Sequence, residues 1–188
     1  MRFLITFAAL MLALPVGAAA QSVVVLGSSD ARICYNSANS DRFGRAGNIS
    51  VCQRALDDQH LTRHDRAATY VNMGILLSRA GRLPEAFSAY DTAISLRSGL
   101  AEAWLNRGIA RLGVRDWEEA EADFNQALAL GVREPHKAYY HRALALDARE
   151  RYPEAYADFQ QALEIMPGWE LPLQELERYQ VVRGPAGG

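Results

Sequence analysis

Residues 152–167 read YPEAYADFQQALEIMP, and nearly the same phrase stands twice before it, as WEEAEADFNQALAL at 117–130 and LPEAFSAYDTAISL at 83–96. Ala86, Ala120 and Ala155 fall 34 and 35 residues apart, as do Tyr90, Phe124 and Phe159, and again Ala93, Ala127 and Ala162. Upstream of each phrase lie a small residue (Gly74, Gly108, Ala143) and an aromatic one (Tyr70, Trp104, Tyr139) at the same period. Self-similarity at a fixed spacing of this size marks a stacked array of like units, because each unit can bury its apolar face only against a neighbour.

Each unit reads as two amphipathic helices and a turn. In the first, the spacing predicts helix A over 66–79 and helix B over 84–97. Ala-Gly-Arg at 80–82 acts as the stop, and Pro84 suits a first helical turn. Tyr70, Met73 and Leu77 recur at helical spacing on A, and Ala86, Tyr90, Ala93 and Ile94 do so on B. The small residues have a mechanical purpose. Gly74, Ala86 and Ala93 let two helix axes approach to about 8–10 Å, and a large aromatic fills the hollow beside them.

This set resembles the tetratricopeptide repeat, with copies at 67–100, 101–135 and 136–169. The resemblance implies an all-α, right-handed α-solenoid. The copies depart from the pattern in places. Arg111 stands where a large apolar residue is usual, only the third copy carries the end-of-unit proline (Pro167), and the second has an extra residue before Pro135. An array needs covered ends. Residues 172–182, PLQELERYQVV, are expected to form a capping helix with Leu173, Leu176 and Tyr179 facing inward, and 183–188 a disordered tail. Within 21–65, an arm containing SVVVLG is expected to precede a degenerate helix pair at 30–58. The arm reads equally as a loose segment or a short strand.

The first twenty residues have another character. Arg2 gives a positive start, an apolar run follows to Leu14, and Ala18-Ala19-Ala20 forms a small-residue cleavage pattern, as in a secretory signal peptide. The run is short for a membrane span, which needs about 20 residues. Export, with a periplasmic destination, and no membrane insertion after cleavage are the expectations. Cys34 and Cys52 are the only cysteines. An even count in an exported chain predicts one disulfide between them, each on one helix of the degenerate pair; the alternative is two separately buried thiols. The formal charge of −2 lacks the basic stripe of a nucleic-acid binder.

Catalytic chemistry is weakly represented. His60 and His64 are four apart, a spacing that lets two imidazoles share a metal on one helix face, but they sit in the polar connector DDQHLTRHDR with no clear third ligand. His136 and His141 lack a carboxylate at a recognisable offset, and Asn48-Ile49-Ser50 matches a glycosylation acceptor. Glu118, Glu119 and Glu121 read as a solvated face. No cofactor is expected and the chain is read as a non-enzyme. Its partner is read as a protein or peptide. A metal-handling or hydrolytic protein using His60 and His64, and a self-assembling envelope protein, are the alternatives; oligomeric state stays open.

The resemblance also implies a binding face, since helix A of each tetratricopeptide unit lines a concave groove. Its second position gives Ala68, Glu102 and Lys137, and its fifth Val71, Leu105 and Tyr140. The sixth gives Asn72, Asn106 and His141, and the ninth Ile75, Ile109 and Leu144. Chaperone-binding members hold a terminal carboxylate with Lys and Asn at the fifth and ninth positions, which are apolar throughout here. The asparagines can donate to and accept from a peptide backbone at once. Either an external segment or the chain's own N-terminal arm can cover this stripe.

Overall fold

The structure is a computed structural model and describes residues 21–24, 29–40 and 48–179. The expected signal peptide at 1–20 and tail at 183–188 lie outside these residues. Among the described residues there are nine helices and no strand. A short pair, α1 (Ser29–Ala38) and α2 (Ile49–Asp57), precedes three longer ones. These are α3 (Arg63–Arg79) with α4 (Leu83–Leu96), α5 (Ala101–Gly113) with α6 (Trp117–Ala129), and α7 (Pro135–Ala148) with α8 (Tyr152–Ile165). A last helix, α9 (Glu170–Leu176), closes the array.

Local chemistry sets the helix ends. α3 starts three residues before the expected point because Thr62 caps it. Its hydroxyl oxygen accepts from the Asp65 amide at 3.0 Å, and the hydroxyl donates to Asp65 Oδ2 at 2.8 Å. A proline opens α4, α7 and α8. Each long pair turns through one residue of positive φ: Gly81 (74°), Arg115 (64°) and Glu150 (61°). The next amide, of Arg82, Asp116 or Arg151, donates back to the carbonyl five residues earlier. This satisfies a helix-end acceptor that would otherwise be orphaned.

Packing follows the small–large alternation. Tyr90 and Phe124 are fully buried, and their rings lie on the glycines of the preceding helix. A Cβ on Gly74 would fall 2.5 Å from the Tyr90 ring, and one on Gly108 2.7 Å from that of Phe124. The hollow next to each glycine is therefore filled by the aromatic of helix B. Ala120 is fully buried in the second cluster, and Ala143, Ala155 and Phe159 in the third.

The helix pairs are also joined by a polar ladder that the sequence reading did not anticipate. Where the first unit has Met73 and Ala89, the second has Arg107 and Asp123, and the third Arg142 and Asp158. Arg107 donates to both oxygens of Asp123 at 3.0 and 2.7 Å, and Arg142 to both of Asp158 at 2.7 Å. Each arginine lies over its own unit's aromatic, Trp104 or Tyr139, and reaches back to the previous helix B at Asp91 or Asn125. Arg111, the departure noted above, donates to Asp123 Oδ2 at 2.9 Å and so belongs to this network. Glu121, expected to be solvated, accepts from Arg149 and Arg151. It ties α6 to the end of α7 and the turn after it.

At the N-terminal end Cys34 on α1 and Cys52 on α2 form a disulfide, and both helices pack on α3. The C-terminal helix differs from expectation. Gly168 turns the chain at φ 79° and α9 begins at Glu170, not at 172. In that phase Pro172 is buried, and Leu171, Leu176 and Tyr179 pack on the third cluster, whereas Leu173 is 44% exposed. Residues 172 and 176 share one face of α9, and 173 is turned about 100° from 172. The Tyr179 hydroxyl donates to Asp147 Oδ1 at 2.5 Å, fastening the end of the array to α7. No helix among the described residues is long and apolar enough to cross a membrane.

Candidate functional site

Three A helices, α3, α5 and α7, contact one another in sequence and form one continuous face. Asn72 and Asn106 occupy equivalent places on the first two, and both are almost completely buried. A buried amide needs partners for its donor and its acceptor, and both find them on one segment. Val23 N–H donates to Asn72 Oδ1 at 2.8 Å, and Asn72 Nδ2 donates to the Val23 carbonyl at 2.7 Å. One unit further on, Gln21 N donates to Asn106 Oδ1 at 3.1 Å, and Asn106 Nδ2 donates to the Gln21 carbonyl at 2.9 Å.

The segment 21–24 is thus the chain's own N-terminal arm, running as neither helix nor strand across α5 and then α3. Residues two apart on an extended chain face the same way, so Gln21 and Val23 present their main-chain groups to the two asparagines. Ser22 points elsewhere and donates to Asn39 Oδ1, just past α1, at 3.0 Å. Gln21 Nε2 donates to the Glu134 carbonyl at 3.3 Å, beside the start of α7. Gln21, Ser22 and Val23 are all buried, and Val24 is 45% exposed.

The remaining candidate positions divide between floor and rim. Val71 and Ile75 are buried in the same apolar cluster as Val23, together with Ala68. Leu105 is fully buried in the second cluster, where Ile109 and Leu144 are partly buried. Glu102 pairs with Arg133, and Lys137 with Glu134 at 3.0 Å. Tyr140 is buried against the rings of Trp169 and Phe159, with centroids 5.0 and 5.8 Å away, and burial pushes its phenol up to about 12. It serves the closing helix as much as the groove.

His141 holds the third equivalent place, after Asn72 and Asn106. It stacks on Phe124 at 6.0 Å, and neither ring nitrogen has a hydrogen-bond partner among the described residues. Burial, with Lys137 adding to it, depresses its pKa to about 3, so the ring is neutral. Buried Gln21 Oε1 is likewise without a hydrogen-bond partner among these residues.

The histidines considered for a metal are placed apart. His60 lies in the turn before α3 against Asp58 at 3.2 Å, while His64 is in the first turn of α3, 2.7 Å from Arg97. They do not share a helix face. Asn48, of the glycosylation tripeptide, donates to Ser37 Oγ at 2.7 Å and so joins the two short helices. The sequence reading identified the asparagines but not Gln21, Ser22, Asn39 or Glu134. The arm was one of two covers the sequence left open for the groove, and its short apolar run does not choose between them.

Comparison with known proteins agrees with the repeat fold. Two family models, each described as Tetratricopeptide repeat, match residues 65–131 and 136–169. DnaJ homolog subfamily C member 7 homolog of Schizosaccharomyces pombe is 32% identical over 114 residues, 58% of this chain and 24% of that protein. The chain therefore spans about a quarter of that relative's length. Among solved structures, the first TPR of Spaghetti (RPAP3) bound to the HSP90 peptide SRMEEVD is 26% identical with a TM-score of 0.59, covering 64% of this chain and 94% of that one. The second TPR domain of human RPAP3 in complex with the HSP70 peptide SGPTIEEVD is 28% identical with a TM-score of 0.58, covering 62% and 97%.

Proposed function

Because the chain belongs to the tetratricopeptide repeat family, whose matches cover more than half of its 188 residues, we propose that it is an exported scaffold mediating protein–protein interaction by holding a peptide segment along α3, α5 and α7. The carrying observation is the pair Asn72 and Asn106, each gripping an N–H and a carbonyl of one extended segment. Such a grip reads main chain and leaves the choice of side chains to the surfaces around it. Two similar domains are bound to peptides of HSP90 and HSP70. Both of those peptides end in EEVD, rich in carboxylates, whereas the fifth and ninth helix-A positions here are Val71, Leu105, Tyr140, Ile75, Ile109 and Leu144. The proposed segment is accordingly uncharged. On this reading the chain binds and does not catalyse.

Export to the periplasm is part of the proposal. The signal-like residues 1–20 and the Cys34–Cys52 disulfide support it. Crosslinked pull-down from native envelope, followed by binding isotherms on the captured partner, tests the scaffold. Asn106→Ala is expected to weaken binding by roughly fivefold or more, and unchanged affinity would move the site off this face. Fractionation with N-terminal sequencing tests export: a cytoplasmic chain still beginning at Met1 would refute it.

A further inference from the structure

We propose that the arm 21–24 is a tethered competitor in the binding groove, and that the partner is an extended, uncharged segment which takes its place rung by rung. The inference rests on the groove being the peptide-binding surface. The arm shows what that surface selects. Two residues, i and i+2, offer an N–H and a carbonyl to Asn106 and Asn72. The residue between them is small, since Ser22 is buried against Asn39. The residue over α3 is apolar, since Val23 joins the first apolar cluster. Polarity is fixed as well: the segment's N-terminal side lies on α5 near the start of α7 and its C-terminal side on α3.

The occupant holds its place by tethering. Only residues 25–28 separate the arm from α1. A short link holds a segment at an effective concentration on the order of millimolar. A free partner therefore meets a groove that is open only part of the time, and its apparent affinity falls by that fraction. All four grip contacts fall on the arm's main chain, so the competitor can be loosened without altering a groove residue. Val23→Pro removes the N–H that Asn72 accepts from and leaves Asn72 and Asn106 in place. Val23→Asp keeps that N–H but loosens the arm by another route, setting a carboxylate against the apolar cluster.

The test uses the full chain and a synthetic peptide of residues 21–27, QSVVVLG, labelled with a fluorophore. The peptide is expected to bind the Val23→Pro and Val23→Asp chains at least about tenfold more tightly than the unaltered chain. Adding Asn72→Ala and Asn106→Ala to either variant should abolish that binding. Equal affinity for altered and unaltered chains overturns the proposal. So does absence of binding to a Val23 variant that melts cooperatively. Loss of the cooperative melt in both variants would make the arm an indispensable part of the core, and concentration-dependent dimerisation of the unaltered chain would seat the arm in a neighbour's groove; either overturns it. The two readings fail differently. If the peptide behaves as expected but neither chain retains another envelope protein, the competitor stands and the scaffold falls. If one partner is captured equally by the unaltered and Val23→Pro chains, the scaffold stands on another surface and the competitor falls.

Discussion

His141 is the residue whose place in the register and whose chemistry diverge most. It stands third in a series with two asparagines but is buried, neutral and without a hydrogen-bond partner among the described residues. Its pKa falls from 6.5 in the unfolded chain to about 3 in the folded one. The unfolded state thus binds the extra proton between these values. Its contribution to stability is complete above pH 6.5 and is lost as pH falls toward 3, with a slope approaching about 1.4 kcal/mol per pH unit. His141→Asn, which cannot titrate, should flatten that part of the stability profile in chemical denaturation between pH 6.5 and 4; parallel profiles would show that the ring titrates normally. The turn residues give a second expectation. Glu150 holds a φ of 61° where the first unit has Gly81. A side chain in that conformation is strained by about 1–2 kcal/mol, against which glycine's greater freedom in the unfolded chain costs about 0.5–1 kcal/mol, so Glu150→Gly should stabilise modestly and raise Tm by a few degrees. A lower Tm would mean the side chain contributes more than its backbone strain costs. At this scale the sequence was legible where chemistry repeats: Gly74, Gly108 and the aromatics on them follow from period alone. The hydrogen-bond partners of Asn72 and Asn106 did not, because an amide's partners depend on which segment the fold brings to it.

Between elements, the Arg–Asp ladder carries the lesson. Arg142 and Asp158 replace the apolar Met73 and Ala89 of the first unit, so one architecture accommodates both solutions. Asp158 is only 7% exposed, and the bond to its carboxylate raises the pKa of Arg142 despite the opposing effect of burial. Removing one partner strands the other: Asp158→Ala should cost about 3 kcal/mol. The double variant Arg142→Met with Asp158→Ala, which copies the first unit, should recover most of it. Strict additivity in denaturant melts would show that the two side chains do not act as a pair. The ladder escaped the sequence reading because charged residues on a helix ordinarily mark its solvated side. Its Arg and Asp recur once, 35 residues apart, in the second and third units only, a weaker signal than the three-fold series of alanines. The closing helix was misread for a phase reason: Pro172, one position earlier than expected, takes the inward place and leaves Leu173 exposed.

For the molecule as a whole, stacked units imply stability that is shared between neighbours and weakest at an end. The first helix pair is the shortest, and the disulfide joins its helices across 18 positions of sequence. A closure of that size is worth about 3 kcal/mol in the chain-entropy account. Reduction should therefore loosen α1 and α2 first, seen as faster amide exchange there, while α5 to α8 keep their protection. Uniform loss along the chain would refute this order. Period alone made the all-α solenoid legible, since each repeat states the same packing problem again. The groove's occupant was legible only as one of two alternatives, because the arm lies outside the repeats and period says nothing of where it docks.

The grip of Asn72 and Asn106 on main-chain atoms has a consequence for how this chain can change over generations. A contact made through main-chain atoms tolerates drift at the exposed Val24, while changes at the buried Ser22 and Val23 adjust the threshold that an incoming segment must exceed. Repertoire and sensitivity are then inherited separately. The repeats decide which segments fit, and four residues at the edge decide how strongly a newcomer must insist.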